Sequence, residues 1–371
     1  MMLSCSPSKE PGKAPARFMP LLRHPKSVLV TGGCGFIGSA FVRYLLSQAG
    51  FDGRVVNLDL LTYAANPDNV AEAAKSSSYA FVQADIGDAE TVARVCREHA
   101  IDTIVHFAAE SHVDRSIVGP GAFVQANIVG TYQLLEVVRE QRQIHFHHVS
   151  TDEVYGSLGA SGSFHETTPY DPSSPYSASK AASDHLVRAY ARTYGLSTTL
   201  SNCSNNYGPY QFPEKLIPLM ITNLYDGKPL PVYGTGANVR DWLYVDDHVE
   251  AIWTIVQRGE RGQTYNIGGE AEWANLALLH KLIEVVAQVT GRDAEALREQ
   301  ITFVADRPGH DARYAIDCSK LKSELGWSQR YDIESGLLST VRWYLEHPEW
   351  IARVKSGAYR EWIDKNYADR R

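Results

Sequence analysis

A strand, a glycine-rich turn and a helix follow one another from Ser27 onward, in the segment SVLVTGGCGFIGSAFVRYLL. Gly32, Gly35 and Gly38 are spaced GxxGxxG between the strand and the helix. Glycines in such a turn let the backbone approach a pyrophosphate, and the positive end of the helix dipole favours the phosphate charge. The segment therefore predicts the first βαβ unit of a dinucleotide-binding sheet.

Apolar strands alternate with amphipathic helices over the first half of the chain. The segments RVVNLDLL, YAFVQADIGD, DTIVHFAAES and IHFHHVSTDEVYG have the character of strands, whereas AETVARVCREHA has that of a helix. Such alternation predicts an α/β fold with a Rossmann-type doubly wound parallel sheet. After about Leu200 the segments become rich in Pro, Gly and aromatic residues. We expect these to form a smaller mixed α/β domain that binds substrate at the carboxyl ends of the strands.

These patterns divide the chain into four expected parts. They are a flexible amino-terminal extension (1–26), a cofactor-binding domain (27–200), a substrate-binding domain (201–345) and a carboxyl-terminal tail (346–371). The second boundary is not clean, because a helical segment within 240–270, HVEAIWTIVQR, is expected to rejoin the first domain. The extension has no continuous apolar core, so we do not interpret it as a secretory signal.

Composition excludes several classes of function. The net charge of −7 argues against general nucleic-acid binding, which needs a basic surface. No apolar run reaches the ~18 residues that a membrane span requires. Five scattered cysteines, never in a CxxC pair, suggest neither a disulfide framework nor a zinc site and favour the reducing cytoplasm. His145, His147 and His148 lie on one strand without a carboxylate or cysteine to complete a ligand set, so we expect no metal.

An acidic residue closes the second strand. Asp59 stands 21 residues beyond Gly38, where a carboxylate would hold the 2′-hydroxyl of a ribose. The same charge would repel a 2′-phosphate. The cofactor is therefore expected to be NAD rather than NADP.

A tyrosine and a lysine four residues apart lie in the helical segment SPYSASKAASDHLVRAYARTYG. Tyr176 and Lys180 would share one helix face, and the ammonium would lower the pKa of the phenol from ~10 towards neutrality. Such a tyrosine can remove a hydroxyl proton while a hydride leaves the same carbon. With the glycine turn, this pair makes the chain resemble the extended short-chain dehydrogenase/reductase family from Ser27 to Tyr344. The resemblance assigns Thr151 as the third catalytic residue.

Two adjacent carboxylates follow that threonine, in the segment STDEVYG. One negative charge raises the pKa of its neighbour, so Asp152 and Glu153 can hold different protonation states, as an elimination of water requires. The segment is similar to that of the nucleotide-sugar 4,6-dehydratases, and the Asp-Glu pair to the branch that acts on dTDP-glucose. This resemblance implies that Tyr176 oxidises C4 with NAD, Glu153 removes the C5 proton and Asp152 protonates the departing C6 hydroxyl. Alternatives are a dehydratase for UDP-glucose, more weakly a 4-epimerase or decarboxylase, and a non-catalytic NAD-binding sensor.

The resemblance also implies two sets of binding residues. Besides the three glycines, Asp59, Tyr176 and Lys180, the expected NAD-binding residues are Phe36, Ile37, Thr62, Asp85, Ile86, Ala108, Ala109, Ser111, Asn127 and Asn206. Besides Thr151, the expected sugar-nucleotide residues are His112, Asn205, Lys215, Leu216, Pro231, Tyr233, Arg240, Asn275, Arg307 and His310. The arginines suit a diphosphate because a guanidinium matches two phosphate oxygens.

Two helical segments, NIVGTYQLLEVVREQ and the one that carries Tyr176, have more apolar positions than one sheet face requires. In the family such helices pair across a two-fold axis. The resemblance therefore implies a homodimer through a four-helix bundle.

Overall fold

The protein is described by a computed structural model that covers residues 22–306 and 310–355. Within this part of the chain lie twelve strands: β1 (Ser27–Thr31), β2 (Arg54–Asp59), β3 (Tyr79–Gln83), β4 (Thr103–His106), β5 (His145–Thr151), β6 (Thr198–Cys203), β7 (Asn205–Tyr207), β8 (Leu230–Tyr233), β9 (Val239–Tyr244), β10 (Thr264–Ile267), β11 (Glu272–Ala274) and β12 (Ile301–Val304).

The same described ranges contain thirteen α-helices: α1 (Phe36–Ser47), α2 (Ala89–Glu98), α3 (Val113–Val118), α4 (Pro120–Phe123), α5 (Thr131–Glu140), α6 (Pro175–Tyr194), α7 (Leu216–Asp226), α8 (Val245–Arg258), α9 (Asn275–Thr290), α10 (Ala294–Arg298), α11 (Ser319–Leu325), α12 (Ile333–Glu346) and α13 (Pro348–Val354). Short 3₁₀ turns occupy Pro67–Val70, Ala73–Lys75 and Asp152–Tyr155, and Val124–Gly130 is π-helical. Across these residues, no helix combines the length and the apolarity that crossing a membrane demands.

Seven parallel strands form the central sheet, in the order β10-β6-β5-β4-β1-β2-β3. Every residue of β1 and β5 is buried, as expected for strands covered by helices on both faces. Two segments from the later part of the sequence also belong to this unit. Strand β10 pairs with β6, and α8 packs its apolar face into the same core as α1. The predicted Rossmann-type sheet is thus confirmed.

A smaller unit begins at the carboxyl edge of the sheet, because β7 starts two residues after β6 ends. It contains a three-stranded sheet (β11-β9-β7) and a parallel pair (β12-β8). Helices α7, α9 and α12 enclose a separate apolar core with these strands. The space between this unit and the strand ends is where an open α/β sheet binds its ligands.

Helix α6, which carries Tyr176 and Lys180, has well-defined ends. Ser174 caps it: its hydroxyl accepts from the backbone N–H of Ser177, whose own hydroxyl accepts from that of Ser174, at 3.1 and 3.0 Å. Gly195 ends it in the left-handed conformation, with φ of 69°. These ends place the tyrosine and lysine in the first two turns.

Five described residues, 22–26, precede β1. Residues 1–21 of the predicted amino-terminal extension lie outside the described residues. Arg23 donates from its guanidinium to the carbonyl oxygens of Val256 and Gly259, both at 2.6 Å. The end of the extension is therefore fixed against the carboxyl end of α8.

Candidate active site

A cavity of about 740 Å³ opens where the strands of the central sheet end. Its lining includes residues that close or directly follow β1, β2, β4, β5 and β6. The lining includes both the glycine turn and the catalytic residues that the sequence predicts. One continuous space therefore joins the expected cofactor site to the expected acid–base groups.

The glycine turn needs glycine for two measurable reasons. Gly32 has φ of +71°, and a Cβ there would stand 2.7 Å from the backbone of Ala108. A Cβ on Gly38 would stand 2.2 Å from the carbonyl oxygen of Gly32. Any side chain would push α1 away from β1 and β4. The bare backbone leaves room for a pyrophosphate at the amino end of α1.

Asp59 lies at the end of β2 and lines the cavity. Its carboxylate accepts from the backbone N–H groups of Cys34 and Leu61, at 2.9 and 2.8 Å. Burial nevertheless raises the pKa of Asp59 above its usual range. The carboxylate thus holds the glycine turn as well as facing the cavity. The turn and this acid fit the pyrophosphate and ribose of NAD, and the acid would repel a 2′-phosphate.

The cavity gathers almost all of the predicted cofactor residues. Its lining includes Gly32, Gly35, Phe36, Ile37, Gly38, Asp59, Thr62, Asp85, Ile86, Ala108, Ala109, Ser111, Tyr176, Lys180 and Asn206. Asn127 does not line it. Its side chain instead bonds the backbone N–H and carbonyl of Glu110, at 2.9 and 3.0 Å, and the hydroxyl of Ser179, at 2.8 Å. It therefore supports the loop after β4 from behind.

Thr151, Asp152 and Glu153 leave the end of β5 together. Thr151 caps the short 3₁₀ turn, because its hydroxyl accepts from the backbone N–H of Glu153 at 3.2 Å. The same hydroxyl lies 3.3 Å from Oδ1 of Asp152. All three residues line the cavity, so the turn places both carboxyl groups beside the threonine.

The two carboxylates differ in environment. Asp152 is 1% exposed, and its Oδ2 has no hydrogen-bond partner among the described residues. Burial raises the pKa of Asp152 well above its ordinary value, and the charges of Glu153 and Asp241 raise it further. Asp241 is itself buried, which raises its pKa to about 6 although two backbone N–H groups stabilise its charge. This environment favours the protonated form of Asp152, the form that a general acid needs.

Lys180 is fully buried and donates a 2.9 Å hydrogen bond to the carbonyl of Val149. The pKa of Tyr176 lies well above its ordinary value, because the phenol is buried and faces the charge of Glu153. The prediction that the pKa of this phenol falls towards neutrality is therefore wrong for the protein alone. A hydrogen bond from Thr151 acts in the lowering direction but does not outweigh burial.

The predicted substrate residues separate into two groups. Thr151, Asn205 and Lys215 line the cavity, and Lys215 Nζ lies 3.0 Å from the carbonyl oxygen of Ser111. Outside its lining are His112, Leu216, Pro231, Tyr233, Arg240, Asn275 and His310. Arg307 falls outside the described residues.

Several members of the second group have partners within the protein. Arg240 donates to the carbonyl of Asp311 at 2.9 Å, and its guanidinium lies 4.2 Å from the centre of the Tyr314 ring. The hydroxyl of Tyr233 lies 3.3 Å from the carboxylate of Asp114. Two of the residues that the sequence suggests for the sugar nucleotide thus already have polar partners within the protein.

The match to known proteins extends over most of the chain. The family model for GDP-mannose 4,6 dehydratase matches residues 29–340. The chain belongs to this nucleotide-sugar dehydratase family. A dTDP-glucose 4,6-dehydratase of Escherichia coli is 53% identical over 361 aligned positions, covering 92% of this chain and 99% of the relative. The corresponding protein of Xanthomonas campestris pv. campestris (strain B100) is 55% identical, covering 90% and 97%.

Solved structures agree with the family and the fold. The dTDP-glucose 4,6-dehydratase of Bacillus anthracis, in complex with NAD, has a TM-score of 0.81 and 45% identity, covering 89% of this chain and all of that one. The Streptomyces venezuelae dTDP-glucose 4,6-dehydratase, with NAD and TDP bound, has a TM-score of 0.82 and 48% identity, covering 87% and 98%. A UDP-glucose 4-epimerase of Thermotoga maritima reaches 0.78 at only 28% identity, covering 87% and 99%.

A buried acid at the cavity was missed by the sequence reasoning. The Glu214 side chain is 1% exposed, with one carboxylate oxygen 3.5 Å from the Arg115 guanidinium and the other 3.2 Å from the Tyr63 hydroxyl. Burial raises the pKa of Glu214. Its only signal in the sequence is an acid directly before Lys215, in the segment FPEKL. Burial and the contact with Tyr63, 151 residues away, are not visible there.

The strand histidines have hydrogen-bond partners rather than ligand geometry. Both ring nitrogens of His147 lie near hydroxyls, 2.9 Å from Thr199 and 3.2 Å from Ser201. Among the residues that the structure describes, no three His, Cys, Asp or Glu side chains form a group suited to a metal.

Proposed function

We propose that the protein converts dTDP-glucose to dTDP-4-keto-6-deoxyglucose and water, with NAD as a cofactor that is regenerated in each cycle. The observation that carries this proposal is the pair Asp152 and Glu153, a buried carboxyl group with a raised pKa beside a second carboxylate, in one cavity with Tyr176. A simple oxidoreductase needs only the tyrosine. Elimination of water needs an additional acid and base, and this pair provides both.

The residues divide the reaction between them. NAD, when bound, accepts a hydride from C4 and later returns it to C6. Tyr176 removes the proton of the C4 hydroxyl, with Thr151 as its hydrogen-bond partner and Lys180 as the buried cation on the same helix. Glu153 removes the C5 proton, which the neighbouring ketone has made acidic.

Asp152 completes the elimination. It gives its proton to the C6 hydroxyl, which leaves as water while the C5 electron pair forms the C5–C6 double bond. C6 is then reduced, and Glu153 returns a proton to C5. The raised pKa of Asp152 supports this assignment, because it favours the protonated form that a general acid needs.

The smaller unit would hold the nucleotide diphosphate. Asn205 and Lys215 line the cavity beside the catalytic groups, and Lys215 can offer its positive charge to a phosphate. Arg240, Asn275 and the turn at Pro231–Tyr233 belong to the same unit and are proposed to meet the diphosphate and the base. In this division, the seven-stranded unit binds NAD and the smaller unit selects the nucleotide.

The test is mass spectrometry of the reaction in deuterated water, with dTDP-glucose and UDP-glucose supplied separately. Loss of one water and gain of one deuterium, at C5, on dTDP-glucose alone is the expected result. The same change on UDP-glucose alone would overturn the assignment of the base and preserve the chemistry. Binding of NAD without a change in either sugar would leave a non-catalytic sensor as the better description.

We also propose a homodimer. Exposed apolar side chains recur from α3 to α6, among them Val118 at 81%, Val124 at 43% and Tyr132 at 40%. Pairing this face with a second copy would bury it in a four-helix bundle. Val124→Asp should shift the mass in solution from dimer to monomer, and a monomeric native protein would refute the proposal. A reducing cytoplasm suits the four described cysteines, which are buried free thiols.

A further inference from the structure

The helix α13 reaches back to the cofactor half of the molecule. Trp350 is 4% exposed and packs beside Trp343 and Tyr344 of α12, with ring centres 5.1 and 6.1 Å away. Its indole nitrogen donates a 2.9 Å hydrogen bond to Oδ1 of Asn69, a residue 281 positions earlier in the chain. The carboxyl-terminal helix is thus bonded directly to the segment that follows β2.

The side chain of Asn69 also bonds the glycine turn. It is 2% exposed, and its amide nitrogen donates at 3.0 Å to the carbonyl oxygen of Cys34, inside the GxxGxxG segment. The same oxygen accepts from the backbone N–H of Asn66 at 2.9 Å. The neighbours of these residues, Gly35 and Ala65, line the cavity. One amide side chain therefore connects α13 to the glycine turn at the cavity.

Further contacts near Asn69 join the seven-stranded unit to the smaller unit. Arg43 of α1 donates to the carbonyl of Asn69 at 2.6 Å, and its guanidinium lies 4.1 Å from the centre of the Tyr210 ring. That ring lies 4.3 Å from Trp343, centre to centre. Arg353 of α13 forms a 2.7 Å ion pair with Asp68, the residue before Asn69. The glycine turn and α1 are therefore connected to the core of the smaller unit through several independent contacts.

We propose that α13 is a latch for the cofactor, in which Trp350 and Asn69 are positioning residues that hold the glycine turn closed and slow the release of NAD. The inference rests on the NAD-dependent cycle proposed above. A cycle that first oxidises and then reduces the same sugar has to keep its cofactor bound between the two steps. Escape of the reduced cofactor midway would strand an oxidised sugar and leave the protein without a hydride to return.

The test compares two tryptophan variants of the full chain. Trp350→Phe keeps a ring in the cluster and removes only the N–H donor. Trp327→Phe is its matched control, because Trp327 is also 4% exposed but its indole nitrogen has no hydrogen-bond partner among the described residues. Each protein is loaded with NAD, freed of excess and diluted. Released NAD is reduced by an added alcohol dehydrogenase with ethanol, and the absorbance of the product is followed.

We expect NAD to leave Trp350→Phe about fivefold faster than the native protein, the scale of one buried hydrogen bond, and to leave Trp327→Phe at the native rate. Equal rates for all three proteins would overturn the proposal, as would equal acceleration in both variants. If Trp350→Phe does not fold, Asn69→Asp replaces it. This change keeps the acceptor for Trp350 and removes the donor to Cys34, and an unchanged release rate would again be decisive against the latch.

The release rate is measured without any sugar nucleotide. A native protein that retains NAD but does not dehydrate dTDP-glucose would overturn the proposed function and leave the latch standing. Normal dehydration of dTDP-glucose, with the same NAD release rate in Trp350→Phe as in the native protein, would support the proposed function and overturn the latch.

Discussion

The ammonium of Lys180 lies 2.9 Å from the carbonyl oxygen of Val149, and both residues are buried. This bond ties α6 to β5 two residues before Thr151. Burial lowers the pKa of Lys180, and the carboxylate of Asp184, one turn further along α6, acts in the raising direction. The lysine is thus both a structural tie and the cation on the helix that carries Tyr176.

Removing that cation should slow the first step of the reaction. In Lys180→Met the phenol of Tyr176 keeps its buried, acid-flanked site and loses a source of positive charge, so its pKa should rise further. We expect kcat to fall about 100-fold, a typical contribution of acid–base catalysis. The measurement is the rate at which bound NADH forms in a single turnover, as a function of pH. Lys320→Met is the matched control, since Lys320 bonds Gln263 and Thr264 instead.

Replacing Asp152 and replacing Glu153 should each block a different step of the reaction. Asp152→Asn keeps the size of the side chain but has no acidic proton for the C6 hydroxyl. We expect it to oxidise C4, exchange the C5 proton with solvent and lose water about 100-fold more slowly than the native enzyme. Glu153→Gln should oxidise C4 but exchange no C5 proton. Deuterium at C5 of recovered dTDP-sugar, read by mass spectrometry, separates the two.

The NAD content of both variants serves as the control, since neither change touches the glycine turn. A Glu153→Gln protein that exchanged the C5 proton at the native rate would show that another group is the base. Glu214 would then be the next candidate, because it is a further buried carboxylate at the cavity and, unlike Asp59, does not hold the glycine turn.

Local patterns were sufficient for the parts of the fold that are continuous in sequence. The GxxGxxG turn, the alternation of strands and helices up to β6, and the four-residue spacing of Tyr176 and Lys180 each report a contact between near neighbours. The position of β10 beside β6 joins segments some sixty residues apart, and no pattern within either strand specifies it.

The sequence predicts those site residues that directly follow the end of a strand. It does not predict contacts between site residues that are far apart in the sequence. The sequence indicates Asp152 because it comes directly after β5, but the pKa of Asp152 is raised first by burial and in smaller part by Asp241 of β9, neither of which is visible in the sequence. The pKa of Tyr176 differs from the prediction for the same reason: burial is the largest cause of its rise, and burial is a property of the whole fold.

A buried carboxylate beneath the site should matter for its shape. Asp184 accepts from the hydroxyls of Ser150 and Tyr170, each at 2.9 Å, and from the amide of Asn202 at 3.2 Å. Asp184→Asn places an amide where these donors converge, so we expect about 1–3 kcal/mol less stability in urea unfolding and a lower kcat with little change in KM. Asp317→Asn, at a more exposed acid, is the control. Native stability in Asp184→Asn would contradict this account.

Buried histidines should make the fold sensitive to acid. Burial lowers the pKa of His148 to about 4 and of His248 to about 3, and it holds His106, His145 and His147 well below their ordinary value. In the unfolded chain each would titrate near ~6.5. The unfolded chain therefore binds more protons below that pH, and the stability present above it is lost progressively as the pH falls towards about 4.

The free energy of unfolding, measured in urea at several pH values between about 7.5 and 4.5, should fall with a slope of up to ~1.4 kcal/mol per pH unit for each such histidine. His248→Gln removes one of these groups while offering an amide to Asn206, whose side chain lies 2.7 Å from the imidazole, so the slope should flatten. His347→Gln, at an exposed position, should leave it unchanged. An equal slope in the native protein and His248→Gln would mean that His248 takes up no proton on unfolding, contrary to its burial.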